Sequence, residues 1–87
     1  MKNDAEYLKE EQEILKRLDK TIKKKEKTRR WVAIRVNIPI STMNSYFFRK
    51  VVPPVVILKR MADALHVDIK CIIYGEIENK QTEGNRS

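Results

Sequence analysis

The sequence predicts an all-α fold, and three observations carry that expectation. Aliphatic residues recur at helical spacing rather than in strict alternation, and only two glycines occur in 87 residues. The segment from Thr28 to Phe48, TRRWVAIRVNIPISTMNSYFF, divides into two short amphipathic helical patterns broken once, at Asn37. A chain of this length is expected to form one small domain with a modest core.

The first helix can be capped by Asn3 or Asp4 and runs through an acidic first turn to a basic end. Leu15, Leu18 and Ile22 give it an apolar stripe. Residues 1 to 12 carry little besides Tyr7 and Leu8, and read as either a frayed extension or a dimerisation arm. Thr28 stands where the second helix needs a cap. Arg29 and Arg30 follow in its first turn, where they oppose the helix dipole, and this mild cost points to an anionic partner nearby. Val32 and Val36, four apart with Ala33 beside them, form a face small enough for another helix to approach closely.

Asn37 marks a turn that needs positive φ, a region its short amide tolerates. Ile38 is placed to plug the angle between the two helices, and Pro39 opens the third helix, where a missing N–H leaves no intrahelical bond unmade. Met43, Tyr46 and Phe47 share one face of that helix. Ile40, Ser41, Asn44 and Ser45 share the opposite one. Residues 49 to 52 form a short connection, and Pro53 and Pro54 open a fourth helix in which Val55, Leu58, Met61, Ala62 and Leu65 define a buried face. Asp68 caps a last short helix whose Ile69, Ile72 and Ile73 turn inward, and Gly75 ends it. The expected organisation is a charged extension over 1–13, a helix-turn-helix domain over 14–75 and a disordered polar tail over 76–87.

The net charge of +7 is unevenly spread. Residues 1–13 hold two basic and five acidic side chains, whereas residues 14–35 hold ten basic and two acidic. A polyanion is the natural partner of such a patch, because each neutralised phosphate releases condensed counterions. Part of the run from Lys23 to Lys27 is also explained as a solvated helix end favoured by the dipole. A single cysteine, Cys71, excludes an internal disulfide and reads as a small buried or half-buried thiol. No stretch approaches the roughly 18 consecutive apolar residues of a membrane span, and residues 1–13 lack the apolar core of a signal peptide, so a cytoplasmic, nucleoid-associated chain is expected.

From about Leu15 to Gly75 the chain resembles the helix-turn-helix domain of the phage lambda repressor and Cro type, the XRE family. Val32-Ala33 stands for the family's Leu-Ala, Asn37 for its turn Gly, Ile38 for its apolar plug and Ser41-Thr42-Met43 for its Ser-Thr-Ile. Tyr46 matches its Trp or Tyr, Lys50 the Lys of its Asn-Gly-Lys loop, and Pro53 the Pro before its fourth helix. Met61-Ala62-Asp63-Ala64-Leu65 with Val67 resembles its Ile-Ala-x-Ala-Leu-Gly-Val, which places His66 at a family Gly, and Ile72-Ile73-Tyr74-Gly75 resembles its closing Leu-Leu-x-Gly. These matches run in register without a gap from Val32 to Gly75. The chain departs from the family where Phe47, Phe48 and Arg49 replace Glu-Asn-Gly, where Arg29 replaces a Gln, and where Trp31 fills a usually polar position.

The resemblance implies a compact five-helix, lambda-repressor-like domain that binds double-stranded DNA in a sequence-specific way, as a small repressor-like regulator acting as a homodimer. Ile40, Ser41, Asn44 and Ser45 are the candidate base readers, Asn44 foremost because its amide can both give to and accept from adenine. Thr28, Arg29, Arg30, Thr42, Arg49 and Lys50 are the candidate phosphate contacts. Trp31 reads either as a packing aromatic or as a stacking or dimer contact. Two adjacent phenylalanines point about 100° apart, so one of them is expected at the surface, and Phe47, Phe48, Val51 and Val52 are the candidate dimer contacts. An enzyme is not expected, since His66 and Cys71 stand alone and no catalytic set or metal-ligand cluster accompanies them. No cofactor, membrane or small-molecule ligand is expected either. The competing functional class is a helix-turn-helix fold used for protein interaction, or an antitoxin with a protein partner.

Overall fold

Five stretches of chain coil into helices, and in each the apolar spacing selects one inward face. A computed structural model describes residues 4–75, with side chains from Lys9 onward. The cap expected at Asn3, the side chains of Tyr7 and Leu8, and the tail expected over 76–87 lie outside the described residues. The helices are α1 (Asp4–Lys24), α2 (Arg29–Val36), α3 (Ile40–Arg49), α4 (Val55–Ala64) and α5 (Ile69–Ile73). The described residues contain no strand, and the fold is all-α.

One apolar core joins all five. Leu18 and Ile22 of α1 meet Val32, Ala33 and Val36 of α2, Met43 of α3, Leu58, Met61 and Ala62 of α4, Leu65, and Ile72 of α5. No polar or charged residue is buried among the described ones. α2 lies at the centre, packed on both α3 and α4, while α1 packs chiefly along α5. Ile38 fills the corner between α2 and α3, as its position in the sequence implies. Trp31 is half-buried against the same core.

The expected inward face of α4 needs one correction. Leu58, Met61, Ala62 and Leu65 are buried, but Val55 is 65% exposed. Val55 is the first helical residue, and Cα–Cβ bonds tilt toward a helix N-terminus, so its side chain points off the end of the core. Pro53 is buried just before it.

Arg17 ties the two ends of the domain together. Its Nε donates to the Ile72 carbonyl at 2.7 Å and its Nη2 to the Ile73 carbonyl at 2.6 Å. A cation thereby satisfies the last carbonyls of α5, which have no intrahelical partner. Gly75 follows at φ +77°, and a Cβ there would stand 3.3 Å from Arg17 Cδ.

Helices α1, α2, α3 and α4 all end on a left-handed residue that is not glycine: Glu26 (φ 60°), Asn37 (φ 64°), Lys50 (φ 60°) and His66 (φ 59°). Three of these corners share one bonding pattern. Lys27, Ile38 and Val67 donate back five residues to Ile22, Ala33 and Ala62, while Glu26, Asn37 and His66 donate back three, to Lys23, Ile34 and Asp63. This is the paired closure of a Schellman turn. The left-handed conformation costs a residue with a Cβ roughly 1–2 kcal/mol, less for Asn, whose side chain bonds locally. His66→Gly and Glu26→Gly are therefore each expected to stabilise the fold by about 0.5–1 kcal/mol in denaturant melts, and Asn37→Gly by less. A drop in stability for His66→Gly would mean that the imidazole itself holds the corner.

Candidate nucleic-acid interface

The turn at Asn37 sets α3 across the end of α2, and two contacts fix how α3 is rotated about its own axis. Met43 is fully buried beneath it. Phe47, one turn later, is half-buried against the core, and the Arg29 guanidinium lies 3.8 Å from its ring centroid. With that face spent on packing, the opposite arc of α3 turns to solvent.

Ser41 and Asn44 are exposed on that arc, Ile40 is 37% exposed at its edge, and Ser45 is half-buried. The four candidate base readers thus share a side of the helix but differ in reach, with Ser41 and Asn44 the most accessible. Phe48, 87% exposed, lies on the same arc one turn beyond Asn44.

The basic residues divide into those engaged within the chain and those left open. Arg29 Nε and Nη2 approach Asp19 Oδ1 of α1 at 3.3 Å and 3.2 Å, and Lys23 Nζ lies 3.2 Å from Asp19 Oδ2. Asp19 is therefore the anion that offsets Arg29 in the first turn of α2. The anion expected near the two arginines of that turn is thus supplied within the chain for Arg29. Arg30, Arg49 and Lys50 are exposed and make no ion pair among the described residues. Thr28 caps α2 by accepting from the Trp31 backbone N–H at 3.0 Å, which leaves its hydroxyl proton available to an outside acceptor. Thr42 is half-buried.

Two basic features lie beyond the candidate residues, the first at a spacing of four that makes helical neighbours and the second without a local signal. Trp31 carries Lys27 Nζ at 4.5 Å and Arg35 Cζ at 5.2 Å from its ring, so the half-buried indole holds two cations beside the α2 N-terminus. Lys16 of α1 joins Lys50 in lining a shallow cleft of about 280 Å³ between α1 and α3, floored by Leu15 and Phe47. A lysine thirteen residues before the start of the helix pair gives no local sign that it will share an edge with its far end.

Of the candidate dimer contacts, Phe47 and Val52 are half-buried and pack partly against the core. Phe48 and Val51 are exposed, and so are Val55 and Val56. Among the described residues no group of three His, Cys, Asp or Glu is placed to hold a metal, and no helix is long and apolar enough to cross a membrane. No family model, no curated protein and no solved structure matches the chain.

Asp19 is expected to restrain the basic surface. Asp19→Asn releases Arg29 and Lys23, so affinity for an arbitrary duplex is expected to rise and its logarithmic salt slope to steepen by roughly one unit. The accompanying loss of fold stability is expected to stay within about 1 kcal/mol, the range of exposed ion pairs. Titration at two salt concentrations measures both affinity and slope, and an unchanged slope would mean that Arg29 stays engaged with Phe47 alone.

Proposed function

We propose that the chain is a lambda-repressor-like helix-turn-helix protein of the XRE type that binds double-stranded DNA in a sequence-specific way. The observation that carries this function is the solvent face of α3, with Ser41 and Asn44 exposed on it, together with Arg49 and Lys50 at its C-terminal end and Arg30 in the first turn of α2, three exposed cations with no ion pair among the described residues. Short polar side chains on a fixed helix can reach base edges, while exposed cations beside that helix meet the phosphates that border a major groove. The left-handed Asn37, the Ile38 plug and the helix order support the family resemblance.

In the proposed complex α3 lies in the major groove. Asn44 reads an adenine, Ile40 touches a thymine methyl, and Ser41 and Ser45 add hydrogen bonds. Arg30, Arg49 and Lys50 hold phosphates, with Thr28 and Thr42 donating hydroxyls. Arg29 acts mainly by fixing α3 through Phe47 and secondarily by its charge. Two copies, joined through the exposed Val51, Val55 and Val56, read half-sites about 34 Å apart. Such a protein would act as a small regulator in the nucleoid, without a chemical step or cofactor. The same valines also favour a second function, a protein-interaction module or antitoxin, in which a different protein covers them.

Asn44→Ala is expected to lose about 1–3 kcal/mol on the preferred duplex and little on random DNA. Arg30→Ala is expected to weaken both alike and reduce the salt slope by about one unit. Titrating each variant against the two duplexes separates the roles, and equal loss on both for Asn44→Ala would remove it from the base readers.

A further inference from the structure

Phe48 is the most exposed of the large apolar side chains among the described residues, ahead of Tyr74 and Ile34. Met43 and Phe47 settle the rotation of α3, so the direction of Phe48 is set by contacts it does not make: it stands 87% exposed, one turn beyond Asn44 and two beyond Ser41. An aromatic ring held in water on a helix face shared with Ser41 and Asn44, and with Ile40 only at its edge, gains nothing from folding, and its transfer out of water favours whatever surface seats on that face. The next residues, Arg49 and Lys50, are exposed cations with no ion pair among the described residues. The complementary surface therefore joins an apolar spot to adjacent negative charge. A major groove offers that combination, a thymine C5 methyl beside phosphates.

Resting on the DNA-binding function argued above, we propose that Phe48 is a further specificity residue, packing its ring on the methyl group of one thymine. Four helical residues rise about 6 Å. With α3 in the groove, that thymine lies within about two base pairs of the position Asn44 reads, since bases rise about 3.4 Å along the duplex axis. Its contribution is apolar and needs no hydrogen bond.

The test uses the full chain and its preferred duplex, with thymines replaced one at a time by deoxyuridine, which removes only the methyl. Wild type, Phe48→Ala and Phe48→Leu are titrated against each duplex, and all three are sedimented without DNA. One replacement is expected to weaken wild type about threefold to fivefold, the worth of one buried methyl. Phe48→Ala should not distinguish thymine from deoxyuridine at that position, and Phe48→Leu should retain part of the preference. An equal response of wild type and Phe48→Ala to every replacement would overturn the proposal. So would a loss of self-association in Phe48→Ala with an unchanged deoxyuridine profile, which would make Phe48 a contact between copies. If a preferred duplex exists but no methyl matters, this assignment alone fails. If wild type prefers no duplex, the DNA-binding function fails with it.

Discussion

The fold depends on reversing direction without glycine. Glu26, Asn37, Lys50 and His66 each hold a left-handed backbone at the end of a helix, and the two glycines of the sequence stand at none of these corners. At three of them the reversal is closed by a pair of backbone hydrogen bonds, and the residue after Asn37, Lys50 and His66 is aliphatic. Ile38 and Val67 pack against the core from those positions, so burial of the following side chain helps offset the strain of the preceding one. Changing a corner would move whole helices, because α2 meets both α3 and α4 and sets their relation.

Given those corners, Arg29 connects scaffold to surface. It pairs with Asp19 on α1, begins α2, and lies over Phe47 on α3, so three helices converge on one guanidinium. Each contact is modest, about 0.2–1 kcal/mol for a partly exposed ion pair and about 0.5–1 kcal/mol for an exposed cation over an aromatic ring. Their combined effect is geometric. By holding Phe47 inward they hold Ser41, Asn44 and Phe48 outward, which is the arrangement a groove-reading helix needs. A lysine at position 29 could not reproduce it, since the planar fork sets two N–H groups on one Asp19 oxygen while lying over the Phe47 ring.

Much of the fold was legible because its determinants are local. Asn37 announced its left-handed turn by residue type, Thr28 and Asp68 act as the caps their positions suggested, and the stripes of α1, α2 and α4 follow from spacing. His66 was marked only through the family resemblance, whose pattern has Gly there. Glu26 and Lys50 carried no signal, since Glu and Lys ordinarily avoid positive φ. Arg17 on the α5 carbonyls and Asp19 on Arg29 were illegible for a different reason: both join residues distant in sequence through geometry that exists only after packing. The same holds for the candidate site. Its residue types and helix could be named from the sequence, but which arginine is free, which phenylalanine is exposed and which lysine of α1 joins the edge depend on tertiary contacts.

The central claim is that the outward face of α3 reads sequence rather than charge alone. Selection of the full chain against a randomised duplex library, followed by titration of the recovered sequence and a scrambled duplex at two salt concentrations, tests it most directly. The expected result is a recovered motif preferred at least about a hundredfold, with a salt slope of several units. Weak binding without preference, falling away equally for both duplexes as salt rises, would contradict it and leave the basic surface as the sole cause of association.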